Sequence, residues 1–141
     1  MHKTIVCSGL IEKNKKYLLV KARVDIAKGL WWNNPGGHKD ENESIKEGAK
    51  REVKEETGFD VRIGRLIGTY FFPKLGAKKY VYETKIVGGR LECPPDEIEE
   101  AKWFSVEEIK KLHNITFGAL RSAIDYSNKK FGGTYRADVI P

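Results

Sequence analysis

Three glutamates, Glu52, Glu55 and Glu56, stand beside Arg51, and the glycine-rich run Pro35-Gly36-Gly37 lies upstream of them. What they can do depends on the element that carries them. Ser44-Ile45-Lys46-Glu47 fits a capping box, in which the Ser44 hydroxyl accepts from the Glu47 amide while Glu47 reaches back. Asp40, Glu41 and Glu43 lie just before it, where carboxylates suit a helix dipole, and Gly58 supplies a left-handed stop. The spacing predicts a helix over residues 45–57. At about 100° per residue, Ile45, Ala49 and Val53 form one apolar stripe. The three glutamates overlap one edge of that stripe, while Lys46, Lys50 and Lys54 point toward solvent.

Such crowding is unfavourable. Like charges three and four residues apart cost about 0.2–0.5 kcal/mol per pair on an exposed helix, and an apolar edge adds desolvation. Only Arg51, four residues before Glu55, offsets it along the helix. A hard divalent cation with oxygen ligands would remove the conflict, and Mg²⁺ binds through a few carboxylates plus substrate phosphates. A solvated acidic face would account for three glutamates alone, but not for the glycine lead-in, the arginine and the spacing together. Gly36 and Gly37 let the backbone turn sharply and approach another group closely.

Taken together, Gly37, Glu43, Arg51-Glu52-Val53-x-Glu55-Glu56-x-Gly58-Phe59 resembles the signature of the Nudix hydrolases, Gly-x5-Glu-x7-Arg-Glu-(apolar)-x-Glu-Glu-x-Gly-(apolar), with no fixed position missed. The resemblance implies hydrolysis of a pyrophosphate bond in a nucleoside diphosphate linked to another group X. It implies Glu52, Glu55 and Glu56 as ligands of Mg²⁺, with Mn²⁺ as a substitute, joined by a loop carbonyl that falls on Gly36. Arg51 would orient a carboxylate with Glu43 as its partner. Metal ions would neutralise the diphosphate and acidify the attacking water. A loop carboxylate before the last strand would be a further ligand or general base; Glu97 is the first choice, with Glu99 and Glu100 as alternatives. The implied fold is an α/β/α sandwich around a mixed β-sheet.

The rest of the chain sets bounds. Its 141 residues suit one domain spanning 1–141, and 40% apolar with 33% charged residues is a soluble globular composition. No apolar run approaches a membrane span, and the N-terminus carries no signal peptide pattern. Cys7 and Cys93 lack metal spacing; Cys7 falls in a strand-like run, so a buried free thiol and a cytoplasmic setting are expected. A net charge of +6 favours anionic partners, but the basic residues are dispersed. A small-molecule nucleotide is therefore the expected partner; nucleic acid is disfavoured and a homodimer is left open.

Thr4–Glu12 and Tyr17–Ala22 read as strands, followed by Leu30–Asn34. Asp60–Phe72 and Lys79–Val87 look extended, with a turn at Gly88-Gly89, and Ala101–Phe104 is a further strand. Ser105–Glu108 is a second capping box, opening a helix to about Leu112. A last helix fits Thr116–Lys129 with Leu120, Ile124 and Phe117 inside, and the tail over 131–141 reads as loose. For substrate contact, Trp32 is a stacking candidate, against core packing. Asn34 would read a base or ribose, or face solvent. His38 would touch phosphate, or be exposed.

Overall fold

In the computed structural model the described residues are 4–24 and 27–141. Met1–Lys3, part of the N-terminus expected to carry no signal peptide pattern, lie outside them. The strands are β1 (Thr4–Leu10), β2 (Glu12–Lys13), β3 (Lys16–Val24), β4 (Ala27–Asn33), β5 (Gly36–His38), β6 (Phe59–Phe72), β7 (Ala77–Gly89), β8 (Ile98–Phe104) and β9 (Gly133–Arg136). The helices are α1 (Ile45–Thr57), α2 (Val106–Ile109) and α3 (Phe117–Ser127).

The strands divide between two sheets. The larger is mixed, in the order β5-β1-β7-β6-β9, with β1 parallel to β7 and β9 parallel to β6. In the smaller, β3 pairs with β2, β4 and β8. Strand β1 alternates: Cys7 turns toward α1, while Val6 and Ser8 share the opposite face with Lys79 and Val81 of β7. The main core fills that opposite side, gathering Leu19 and Trp32, Ile67 and Tyr70, Val81, Phe104 and Ala119.

Helix α1 is held to the sheet very closely. A Cβ on Gly48 would come within 2.9 Å of Cys7 Sγ, and one on Gly9 within 2.8 Å of Val53 Cγ2. Cys7, Ala49 and Val53 are fully buried there. The helix ends as its caps dictate: both arms of the Ser44–Glu47 box form, and Gly58 turns left-handed at φ 82°. The carboxylate-bearing segment thus rests on a fixed scaffold.

Several elements differ from expectation. The tail is not loose: β9 adds to the sheet edge, and Tyr135 stacks on Tyr70 at 5.5 Å between ring centroids. Gly88 and Gly89 do not leave the sheet, because β7 continues through them opposite Asp60 and Phe59. Strand β8 begins at Ile98 because β3 offers partners as far as Ala22. α2 closes at Ile109, and α3 is shorter at both ends, with Thr116 as its N-cap. Its inner face is made of small residues, Gly118, Ala119, Ser122 and Ala123, which let the helix approach the core; Leu120 and Ile124 are only half-buried.

Candidate functional site

Arg51 is the hub of the carboxylates on and before α1. Its guanidinium grips Glu43 through Nε–Oε2 at 3.0 Å and Nη2–Oε1 at 2.8 Å, a two-pronged pair. Nη1 donates to Glu52 Oε1 at 2.9 Å and Glu55 Oε1 at 2.7 Å, and Nη2 also reaches the His38 carbonyl at 3.0 Å. Glu43 further accepts from the Asp40 amide at 2.8 Å. These bonds, the arginine's first, hold the Glu43 carboxyl down at about 2. Glu43 is therefore anionic and serves to aim Arg51.

Glu52 and Glu56 behave oppositely. Burial raises both: Glu56 is pushed up to about 8, with the nearby charges of Glu52 and Glu97 adding to the effect and the Gly36 amide opposing it. That amide donates to Glu56 Oε1 at 2.9 Å. Gly37 lies against the neighbouring carboxylate, for a Cβ there would stand 2.4 Å from Glu52 Oε2. The glycine pair thus brings bare backbone against two desolvated carboxylates. Glu55 is half-exposed and tied to Arg51.

Across from Glu56, the turn before β8 and the first residues of that strand bring Asp96, Glu97 and Glu99 to a shared cleft of about 440 Å³, which Arg23 and Leu30 also line. Glu97 is exposed there. Glu100 instead points along β8, within 3.9 Å of Lys21 and 3.8 Å of Lys102.

A second cleft, of about 390 Å³, opens on the other side of the Gly36–Gly37 strand. Ser8, Arg23, Asn33, His38 and Lys79 line it, together with the glycines. Arg23 borders both clefts. Lys79 is 1% exposed, and burial pushes its ammonium down to about 7 against the pull of Glu56. Its Nζ donates to Asn33 Oδ1 at 2.7 Å and to the Pro141 carbonyl at 3.3 Å.

Here two expectations are corrected. Trp32 does not offer its ring to a base: it is 9% exposed and packs edge-on against Phe104 at 4.9 Å. Asn34 neither faces solvent nor lines a cleft; it is buried, with Nδ2 donating to Ser122 Oγ at 3.5 Å. The two-residue period puts both on the core side, so that Asn33 between them takes the cleft position. His38 is exposed at the rim of the second cleft. Sequence reasoning missed Asn33, Lys79, Ser8 and Arg23. A signal existed for Lys79, a cation alternating with Ala77 and Val81 on the inward face of a strand.

Among the described residues, no three His, Cys, Asp or Glu side chains converge closely enough to hold an ion, because Arg51 draws Glu52 and Glu55 toward itself. The chemistry of the donors nonetheless fits a hard cation. Glu52 and Glu56 are desolvated carboxylates beside a backbone turn, an all-oxygen set. A divalent charge there would reverse the desolvation that holds both carboxyls high.

Comparison with known proteins agrees with this layout. A family model for the NUDIX domain matches residues 1–123. The chain is 32% identical over 116 residues to an ADP-ribose pyrophosphatase of Methanocaldococcus jannaschii, covering 79% of this chain and 68% of the relative. It is 34% identical over 96 residues to a putative 8-oxo-dGTP diphosphatase of Bacillus subtilis, covering 68% of this chain and 62% of the relative. Against a solved NUDIX hydrolase from Nitrosomonas europaea the TM-score is 0.74 at 28% identity, covering 92% of this chain and 91% of that one. With its complete signature on α1 and a family match over most of its length, the chain belongs to the Nudix hydrolase family.

Proposed function

We propose that the protein hydrolyses a pyrophosphate bond in a nucleoside diphosphate linked to another group, with Mg²⁺ as its metal and Mn²⁺ as a substitute. The observation that carries this reading is Glu56, a carboxylate held up to about 8 with Glu52 and Glu97 close enough to raise it further, beside the glycine turn. Glu52, Glu55 and Glu56 would hold the cation with the Gly36 carbonyl. The ion supplies charge neutralisation of the diphosphate and an acidified water. Arg51, aimed by Glu43, keeps the carboxylates in register. Glu97, on the turn facing Glu56, takes the proton of the attacking water; Glu99 shares that cleft and is the reserve. Arg23, between the clefts, meets the diphosphate, and the organic part of the substrate enters the second cleft. The free thiols Cys7 and Cys93 suit the reducing cytoplasm.

The pairing of Arg51 with Glu52 and Glu55 favours a second reading, a catalytically silent domain that binds nucleotides. One assay separates them. Nucleoside triphosphates, ADP-ribose and nucleotide sugars are incubated with Mg²⁺, Mn²⁺ or chelator, and products are followed. Metal-dependent turnover, abolished in Glu52→Gln and Glu56→Gln with folding intact, supports the hydrolase. Ligand-induced thermal stabilisation without any turnover supports the silent domain.

A further inference from the structure

The dispersal of basic residues along the sequence, which disfavours nucleic acid, is partly undone by the fold. A third cleft, of about 770 Å³, lies between the β2–β3 hairpin and the half of the β6–β7 pair that follows α1, and it shares no lining residue with the two clefts already described. Lys13, Arg62 and Lys85 line it, and all three are exposed. Arg62 and Lys85 are direct partners across the β6–β7 ladder. Like charges placed opposite one another on neighbouring strands destabilise a sheet. Among the described residues no carboxylate forms an ion pair with Lys13, Arg62 or Lys85. The lining holds two acids; Glu83 is taken up by Arg65, which leaves Glu12 alone against three cations.

The same end of the molecule carries flat surfaces. Arg65 Nε donates to Glu83 Oε2 at 3.0 Å, and its guanidinium carbon lies 3.7 Å from the centre of the Phe131 ring. The Arg65 side chain is nonetheless 69% exposed, so the guanidinium plane is held in place and still open to solvent. Phe131 packs on Tyr126 at 5.7 Å between ring centroids, and Tyr126 lines the cleft together with Phe59 and Ile63. Lys129 and Lys130, both exposed, lead into Phe131. Among the described residues the non-glycine positions with positive φ are Asn14, Lys15 and Lys129, in the hairpin turn after Lys13 and in the turn before Phe131. Glycine would adopt that backbone without strain, so each lysine there carries a conformational cost that its charge on this face would explain.

We propose that this end of the molecule is a binding surface for single-stranded nucleic acid, separate from the hydrolytic site. Phosphates meet Lys13, Arg62 and Lys85 and relieve the repulsion across the ladder, while unstacked bases lie on the Arg65 plane and the Tyr126 ring. A strand can thread a concave groove, whereas a bilayer meets only its rim. A duplex keeps its bases stacked inside and gains nothing from the aromatic surface.

The test uses the full chain in the presence of chelator. The probe is a 3′-labelled single-stranded RNA of about 12 nucleotides, within the usual site size of such grooves. Its 5′ end is a hydroxyl, so it offers the hydrolytic site no diphosphate. Binding is followed by fluorescence anisotropy, and affinity is expected to fall about 100-fold between roughly 50 and 200 mM salt, as about five phosphate contacts imply. The double variant Arg62→Gln, Lys85→Gln should bind at least about tenfold more weakly at the lower salt and show a shallower salt slope. A control with the same loss of charge on the outer face of α1, Lys46→Gln with Lys50→Gln, should change affinity less than about twofold. Arg65→Lys keeps the charge without the plane and should weaken binding several-fold. No binding at the lower salt, equal losses in the two double variants, or binding to duplex RNA or phosphatidylserine vesicles as tight as to the single strand overturns the proposal. Neither Arg62 nor Lys85 lines the clefts of the hydrolytic site, so nucleotide hydrolysis in their double variant should match the parent, and the two readings fail separately.

Discussion

The carboxylate of Glu56 accepts the Gly36 amide proton at 2.9 Å, fastening the end of α1 to the turn that begins β5. Burial holds that carboxyl at about 8, above its ordinary 4.5. In metal-free protein the folded state therefore binds the extra proton between those values, and stability falls as pH rises from 4.5 to 8. Lys79 has the opposite slope. Its folded value of about 7 lies below the ordinary 10.5, so the unfolded chain binds the extra proton and stability rises between 7 and 10.5. Together they predict a minimum near neutral pH in a melting series without metal. Mg²⁺ should stabilise most at the alkaline end of the carboxylate window. In Glu56→Gln the acid-side fall should vanish and metal-free stability at pH 8 should rise by roughly 1–3 kcal/mol, with hydrolysis lost. A variant no more stable than the parent at pH 8 would show that Glu56 is not desolvated.

Arg51 meets Glu43 with two nitrogens while a third reaches Glu52 and Glu55. A lysine keeps the charge but cannot reproduce a fork of that shape. Arg51→Lys is expected to lower kcat about 10–100-fold, as loss of a supporting contact around a metal site does. Its thermal unfolding should stay close to that of the parent, because α1 remains anchored through Ala49 and Val53. Wild-type turnover in Arg51→Lys would reduce the arginine to a surface charge.

Gly37 tests the close approach of backbone to carboxylate. A methyl group there meets the far end of the Glu52 side chain, which can swing aside without disturbing the sheet. Gly37→Ala should fold normally and lose at least tenfold in Mg²⁺ affinity, measured by calorimetry, since Glu52 is displaced from the turn. Unchanged affinity would remove Glu52 from the ligand set.

The legibility of the chain followed the locality of its constraints. α1 was readable to the residue because its caps, its stripe and its acidic edge all lie within one short segment. The pairing of Arg51 with Glu43 needed the signature spacing, and the placing of Glu97 in one cleft with Glu56 needed the fold. The second cleft was not readable, because its lining combines Ser8, Arg23, Asn33 and Lys79 from four distant stretches. Alternation on β4 offered two equal phases, and Pro35-Gly36-Gly37 gives no clue to which one faces the core. The packing of Trp32 on Phe104 decides it, and that contact depends on β3 bringing β4 and β8 together.

Strand β9 was the other omission, since Gly133–Arg136 is short, polar and paired in parallel with residues far earlier in the chain. Its contribution can be measured. Tyr135 stacks on Tyr70, its hydroxyl meets the buried Asp125, and Arg121 lies 5.0 Å from its ring while also pairing with Asp125 at 2.8 Å. Tyr135→Phe keeps the stack and removes the hydroxyl, leaving a buried carboxylate one donor short, at a cost of about 1–3 kcal/mol. Tyr135→Ala removes the stack as well and should cost about 3–5 kcal/mol. Urea unfolding of the two variants separates the polar part from the aromatic part. A loss under about 0.5 kcal/mol in Tyr135→Ala would return the tail to the loose segment that its composition suggests.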